Sequence, residues 1–137
     1  MPAHCAEAGG VESILQMAFS VKLTSINSAP EESVSHNPAA RKRVWFRQGE
    51  LPPFTQIARV VVPPGEVLAA HAHPDMHELF IILEGAMRMV VDGLPHELGP
   101  DDALAVAPGE SHELRNTGDK PAIFLVAGWT DETAAHP

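Results

Sequence analysis

Histidines and a glutamate lie close together near the middle of the chain. His71, His73 and His77 fall within seven residues, and Glu78 follows at once. Imidazole nitrogens and carboxylate oxygens are ligands for first-row divalent metal ions. Residues i and i+2 of a β-strand point to the same side of a sheet, so a strand here would project His71 and His73 together. A metal site would use such a group, but surface histidines could also fall together by chance, and the rest of the sequence has to decide between these two interpretations.

A distant histidine completes the predicted ligand set. Pro74-Asp75 can interrupt the strand after His73 and so let Glu78 reach the same side. His112, which follows the turn Pro108-Gly109-Glu110, is the best candidate for the fourth ligand. Three imidazoles and one carboxylate leave open positions on a six-coordinate ion, and open positions are what metal-centred catalysis requires.

His77 is the most obvious additional ligand, but its strand parity opposes that of Glu78. We therefore expect it to face outward, for example into a subunit interface. The run Arg41-Lys42-Arg43 could hold an anionic group, although a short charge run is usually solvated. Three methionines could line a substrate pocket or simply fill the core: Met76, Met87 and Met89.

The remaining candidates have weaker support. Acidic residues near the histidines are expected to lie in turns: Asp75, Glu110 and Glu113. Four histidines have no supporting pattern: His4, His36, His96 and His136. Cys5 has no visible base partner, so we do not expect it to act as a nucleophile.

The charge of the chain limits its partners. Its 137 residues carry nine Lys and Arg against eighteen Asp and Glu, a formal net charge of −9. So acidic a chain is a poor ligand for nucleic acid or anionic membrane, and we expect neither as a partner. No apolar run approaches the length of a membrane span. With Cys5 as the only cysteine, no internal disulfide can form.

The beginning of the chain makes a poor signal peptide. The stretch 11–21 is mildly apolar, but it is accompanied by Glu7 and Glu12 and by no preceding Lys or Arg. We therefore expect a cytoplasmic protein.

Short apolar runs dominate the chain from residue 41 onward, separated by Gly, Pro and Asp. Asp92-Gly93 between two such runs is a strong hairpin signal. Many short strands without a long helical period indicate an all-β sandwich or barrel. The predicted strands are 44–47, 55–62, 77–83, 86–91, 103–107, 112–116 and 122–129.

These patterns divide the chain into three parts. Residues 1–40 are predicted to be an N-terminal extension or arm, in which the polar segment 25–40 is a surface connection. Residues 41–131 form the barrel and 132–137 a short tail. The run 79–83, LFIIL, is apolar on both faces, so we expect its outer face to be covered by the N-terminal segment or by a second subunit of a homodimer.

The spacing of these residues resembles the cupin superfamily. The pattern Gly65-x5-His71-x-His73-x4-Glu78-x6-Gly85 agrees with the first cupin motif at every fixed position, and Gly109-x2-His112-x3-Asn116 is similar to the end of the second. The resemblance covers about residues 44–129. It implies a double-stranded β-helix, or jelly-roll barrel, with an N-terminal extension. It also implies that four residues bind the metal: His71, His73, Glu78 and His112.

Two turn positions depart from the family pattern. Asp101 stands where the family has a glycine, and Ala107 stands where it has a proline, with Pro108 one position late. Asp tolerates turn geometry well, so these departures concern the shape of the turns and not the ligand set.

Two classes of function remain open. The resemblance extends to cupin dioxygenases, isomerases, lyases and polyketide cyclases, so a metal-dependent enzyme acting on a small molecule, most simply oxygenase-like, is favoured. The alternative is a non-catalytic protein that binds or senses a small molecule or a metal ion. The chain contains no tyrosine, which argues against an epimerase mechanism with a His base and a Tyr acid. The expected cofactor is one divalent transition metal ion, and the ligand set accepts Mn, Fe, Ni, Cu or Zn.

Overall fold

The structure is a computed structural model and describes residues 21–131. The predicted tail 132–137, most of the apolar stretch 11–21, and the isolated residues His4, Cys5 and His136 lie outside the described residues. The predicted domain boundaries stay predictions. No helix within the described range is long and apolar enough to cross a membrane.

In the part of the chain that the structure describes, ten strands follow a short 3-10 helix, Ile26–Ser28. In chain order they are β1 Glu32–Val34, β2 Asn37–Arg47, β3 Phe54–Val62, β4 Val67–His71, β5 Met76–Glu84, β6 Met87–Val91, β7 Leu94–Leu98, β8 Ala103–Val106, β9 His112–Asn116 and β10 Ala122–Thr130.

The strands form two antiparallel sheets. A six-stranded sheet has the order β1-β2-β3-β10-β5-β8, and a four-stranded sheet has the order β4-β9-β6-β7. Alternate residues of each strand point between the sheets, as the burial pattern of β3 shows, where Ala58, Val60 and Val62 are buried and their neighbours are not. This architecture confirms the predicted all-β, double-stranded β-helix. Its largest fully buried side chains are Phe124, Ile82, Met87, Met89, Leu114, His112 and Val62.

Strands also form where the sequence did not indicate them. β1 and the first part of β2 occupy the segment that we interpreted as a surface connection, and β4 and β7 lie between the predicted strands. The segment is polar, but Asn37 anchors it: its side-chain amide donates to Glu66 Oε1 at 2.8 Å and to the Val67 carbonyl at 2.9 Å. Long-range hydrogen bonds of this kind override a weak local strand propensity.

The turns have the backbone geometry that their residues favour. Asp92 and Gly93 both have positive φ, 48° and 83°, which gives the predicted two-residue hairpin between β6 and β7. Asp101 has a φ of 72°, so the residue that replaces the family's glycine adopts the left-handed conformation that glycine favours. The departure at this turn therefore leaves its shape intact.

The outer face of the six-stranded sheet is apolar along its centre. In β5, Phe80 and Ile82 are buried in the core, whereas Leu79 and Ile81 point outward and are half-buried. Ile81 pairs with Leu125 of β10 on that face. The run 79–83 is thus apolar on both sides of the sheet.

Candidate metal centre

The two sheets place the four predicted ligands at one end of the barrel. His71 ends β4, His112 begins β9, and the two are direct partners in the register of these strands. Glu78 lies in β5 of the other sheet, and His73 lies in the connection between β4 and β5. The Gly109 N–H donates to the His73 carbonyl at 2.7 Å, so the turn before His112 holds the loop that carries His73.

The four side chains converge on one small volume. One potential ligand atom from each of His71, His73, Glu78 and His112 lies within 4.8 Å of all the others. His112 Nε2 is 2.8 Å from Glu78 Oε1, and His73 Nε2 is 3.4 Å from the same oxygen. His112 is 1% exposed, and Glu78 is 14% exposed. The structure thus brings together all four residues that the sequence selected, and this group could hold a metal ion.

Backbone carbonyls orient two of the imidazoles. His112 Nδ1 lies 3.0 Å from the Glu110 carbonyl, and His71 Nδ1 lies 2.9 Å from the Ala69 carbonyl. A carbonyl oxygen can only accept, so each Nδ1 donates and the proton of the neutral ring resides there. The Nε2 lone pair of each ring is then free to face the cluster. Hydrogen bonds of this kind typically fix the tautomer of metal-binding histidines.

His73 supplies the observation that best distinguishes a metal site from a polar cluster. Its Nε2 is buried and makes no hydrogen bond within the described part of the chain. An unsatisfied buried nitrogen costs about 1–3 kcal/mol. A metal ion in the centre of the cluster would satisfy it, so the residues present fit such an ion.

The charges in the cluster are coupled. Burial raises the pKa of Glu78, but the hydrogen bond with His112 and the nearby imidazoles outweigh burial and leave this pKa lowered. Burial lowers the pKa of His112, but its bonds to Glu78 and to the Glu110 carbonyl leave the pKa raised. For His71, burial and the neighbouring histidines outweigh the Ala69 carbonyl and lower the pKa. Both shifts favour the charged forms of Glu78 and His112 when no metal is bound.

His36 is a neighbour of the site that the sequence did not indicate. It lies in the turn between β1 and β2, and its ring stacks on that of His71 with centroids 3.9 Å apart and planes 21° apart. No spacing pattern could have revealed this contact, since it depends on the β1–β2 hairpin folding over the end of β4. By contrast, His77 points away from Glu78 and stacks on Trp129 of β10, with centroids 5.3 Å apart.

Other candidate residues stabilise the fold or lie outside the cluster. Asn116, the last residue of the second motif, is buried and donates to the carbonyls of Val62 and Lys120, so it ties the end of β3 to the loop before β10. Glu110 accepts from the Ala107 N–H within its turn, as expected for a turn residue. Two methionines, Met87 and Met89, fill the core. His96 lies on β7 outside the group of four.

A cavity of about 180 Å³ opens beside the cluster. His71, His73 and Glu78 line one part of it, and Met76 lies next to them. Its walls are mostly apolar and are formed by Val60, Leu68, Phe80, Leu114, Phe124 and Val126. The site therefore combines a possible metal position with space for a small molecule.

Comparison with known proteins agrees with the fold and the motifs. The cupin domain family (Cupin_2) matches residues 58–128, which is more than half of the chain and includes all four converging residues. The chain belongs to the cupin family.

Two curated relatives and one solved structure illustrate the likeness. The chain is 32% identical over 73 residues to the tetracenomycin polyketide synthase protein TcmJ of Streptomyces glaucescens, covering 52% of this chain and 49% of that protein. It is 34% identical over 74 residues to an oxalate-binding protein of Thermotoga maritima, covering 50% of this chain and 56% of that protein. The match thus spans about half the length of each relative.

The solved structure is described as a predicted oxalate decarboxylase from Thermotoga maritima. It superposes with a TM-score of 0.75 at 21% identity and covers 80% of this chain and 100% of that chain. At this identity the likeness concerns the fold alone.

Proposed function

We propose that the protein is a metal-dependent cupin enzyme that acts on a small organic molecule in the barrel cavity. The unsatisfied, buried Nε2 of His73, which belongs to a group of three imidazoles and a carboxylate, carries this proposal. The cofactor is one divalent transition metal ion, held by His71, His73, Glu78 and His112. Such an ion, when bound, supplies a Lewis acid that polarises an oxygen of the substrate.

The residues of the chain prepare the site for this chemistry. The carbonyls of Ala69 and Glu110 hold the Nδ1 protons of His71 and His112 and so direct both Nε2 atoms inward. Glu78 contributes one negative charge. Aromatic and aliphatic walls make the lining of the neighbouring cavity mostly apolar, and an apolar lining strengthens electrostatic interactions beside it. An oxygenase-, isomerase- or cyclase-like reaction fits this arrangement, and the relationship to a polyketide synthase protein supports a catalytic role.

A non-catalytic small-molecule-binding cupin is the second candidate. The relationship to an oxalate-binding protein favours it, as does the small size of the cavity. Both candidates need the same metal position, and they differ in whether the bound molecule is converted. Dioxygen uptake or product formation by the metal-loaded protein with a panel of small organic acids and phenols separates them.

Elemental analysis of protein purified without added metal tests the common requirement. We expect about one transition metal ion per chain in the wild-type protein and a loss of most of it in His73→Ala. His77→Ala is the matched control, because His77 is adjacent to Glu78 in the sequence but faces Trp129. Equal metal content in wild type and His73→Ala would show that this histidine is not a ligand.

A further inference from the structure

The basic run Arg41-Lys42-Arg43 divides its charges between the two faces of β2. Arg41 donates to Ser33 Oγ at 2.9 Å and pairs with Glu31, and Arg43 donates to the Ala29 carbonyl at 2.9 Å. Lys42 has the opposite parity, shared with the buried Ala40 and Val44, and it lines the cavity beside the metal cluster. Of the three basic side chains in this run, that of Lys42 therefore points into the barrel.

Among the described residues that line this cavity, Lys42 is the sole Lys or Arg. It is half-buried, and its ammonium donates to Gln56 Oε1 at 2.8 Å. Within residues 21–131 no carboxylate forms an ion pair with it. Glu32, its register partner on β1, is paired with Arg47. A positive charge thus faces a mostly apolar cavity with a neutral amide as its hydrogen-bond partner, while the carboxylate of Glu32 interacts with it electrostatically at longer range.

Lys42 and Gln56 together present a group of hydrogen-bond donors. An ammonium has three N–H groups, and one of them is used by Gln56. Because Gln56 accepts through Oε1, its amide nitrogen keeps two N–H groups, and no described residue accepts from them. A carboxylate, which only accepts, is the natural partner of such a group, and a hydrogen bond to an ionised group is about twice as strong as a neutral one.

The net charge of the cavity also favours an anionic ligand. Glu78 contributes one negative charge and Lys42 one positive charge, so a bound divalent ion would leave the site with two positive charges. A buried excess of positive charge is costly unless an anion neutralises it. The volume of about 180 Å³ is below the roughly 300–1,000 Å³ that is typical of sites for larger ligands.

We propose that the cavity takes a small organic acid with two oxygen functions. Lys42 and Gln56 bind one carboxylate, and the second oxygen function is directed toward the four-residue cluster. This inference rests on the proposed function, because the second oxygen function requires a metal ion there. It adds the substrate class and two specificity-determining residues.

Calorimetric titration with malonate, a small dicarboxylate, tests the proposal on the full chain loaded with Mn²⁺. Malonamide, the neutral analogue with the same skeleton, is the ligand control. The variants are Lys42→Met, which removes the charge, and Gln56→Glu, which is nearly isosteric and places a carboxylate on Lys42. Lys120→Met is the matched control, since Lys120 is an exposed lysine in the loop before β10.

We expect Lys42→Met and Gln56→Glu to weaken malonate binding by about tenfold or more. Lys120→Met should bind malonate like wild type, and malonamide should bind weakly to all four proteins. Equal malonate affinity in wild type and Lys42→Met, equal affinity of wild type for malonamide, or no malonate binding by wild type would each overturn the proposal. Gln56→Glu retains the full size of the side chain and so gives an answer even if Lys42→Met is poorly folded.

Metal content measured on the same samples keeps the two proposals separate. If wild type binds no Mn²⁺, the proposed function fails. The malonate affinities of metal-free wild type and metal-free Lys42→Met, compared with each other, still test the Lys42 subsite. If all variants hold Mn²⁺ equally and malonate does not distinguish them, the subsite alone fails.

Discussion

His112 Nε2 lies 2.8 Å from Glu78 Oε1, and the two residues come from opposite sheets of the barrel. In the metal-free protein the pKa of His112 is raised and that of Glu78 is lowered, and both shifts favour an ion pair at this contact. The nitrogen that holds the proton of this pair is also the nitrogen that faces the proposed metal position. Metal and proton therefore compete for one atom.

Metal binding is expected to release a proton near neutral pH. Since the pKa of His112 is raised, part of the population still carries this proton above the ordinary histidine value of about 6.5. Calorimetric titration with Zn²⁺ at pH 7, in two buffers of different ionisation enthalpy, should reveal a fraction of a proton released per ion, and more at pH 6.5. A release that does not change between pH 6.5 and 8.5 contradicts this prediction.

Acidification should remove the stabilisation that the metal provides. Coordination requires neutral imidazoles, so three protons replace the ion as the pH falls through the histidine range. The difference in melting temperature between metal-loaded and metal-free protein should be large at pH 7.5 and shrink steeply below about pH 6. His73→Ala should lose most of the difference at every pH while remaining folded, because the core is built from other residues. A wild-type acid profile in this variant would mean that His73 does not bind the metal.

The ion pair should stabilise the metal-free protein within a limited pH window. The lowered pKa of Glu78 stabilises the fold above the unfolded value of about 4.3, and this contribution is lost as the pH falls through the folded value. The raised pKa of His112 stabilises the fold fully below about pH 6.5, and this contribution is lost as the pH rises through the folded value. Between these two unfolded pKa values both contributions to the stability of the fold are present. Protonation of His71, whose pKa is lowered, opposes them in the more acidic part of this pH range.

Glu78→Gln isolates this contribution. It should lower the stability of the metal-free protein by about 1–3 kcal/mol near pH 5.5–6, because a buried imidazolium loses its carboxylate. The loss should become smaller as the pH rises and His112 loses its proton. Urea unfolding at pH 5.5 and pH 8.5 measures both values, and a loss that is larger at the alkaline pH contradicts the assignment.

Two glycines with the same backbone conformation allow strain and steric contact to be separated. Gly85 and Gly93 have φ of 85° and 83°. A Cβ on Gly93 would meet nothing within 4 Å, whereas a Cβ on Gly85 would lie 2.8 Å from Ala122 Cα and 2.9 Å from the Pro121 carbonyl. Gly93→Ala should therefore cost about 1–2 kcal/mol in the free energy of unfolding, from the left-handed conformation alone. Gly85→Ala should cost about 1–3 kcal/mol more, and equal losses in urea unfolding would contradict this view.

The sequence predicted the parts of the site that depend on local spacing. His71, His73 and Glu78 lie close together along the chain, and motif spacing was enough to add His112. The contact of His36 with His71 and the inward position of Lys42 depend on where β1 and β2 lie in the sheet. The segment that forms β1 and the beginning of β2 is polar and has little strand propensity. Tertiary hydrogen bonds such as those of Asn37 therefore define these strands.

The apolar outer face of the six-stranded sheet leads to a prediction of a homodimer. Leu79 and Ile81 point away from the core and are half-buried, and Leu83 is 40% exposed. A second copy of the chain packed on this face would bury on the order of 2,000 Å² in total, as permanent dimers do.

Light scattering at micromolar concentration should give twice the mass of one chain, and Ile81→Glu should convert the protein to a folded monomer. Leu94→Glu is the control: Leu94 lies on β7 of the other sheet and is 63% exposed, so this variant should remain dimeric. A wild-type monomer, or dissociation by Leu94→Glu but not by Ile81→Glu, would place the interface elsewhere or exclude it.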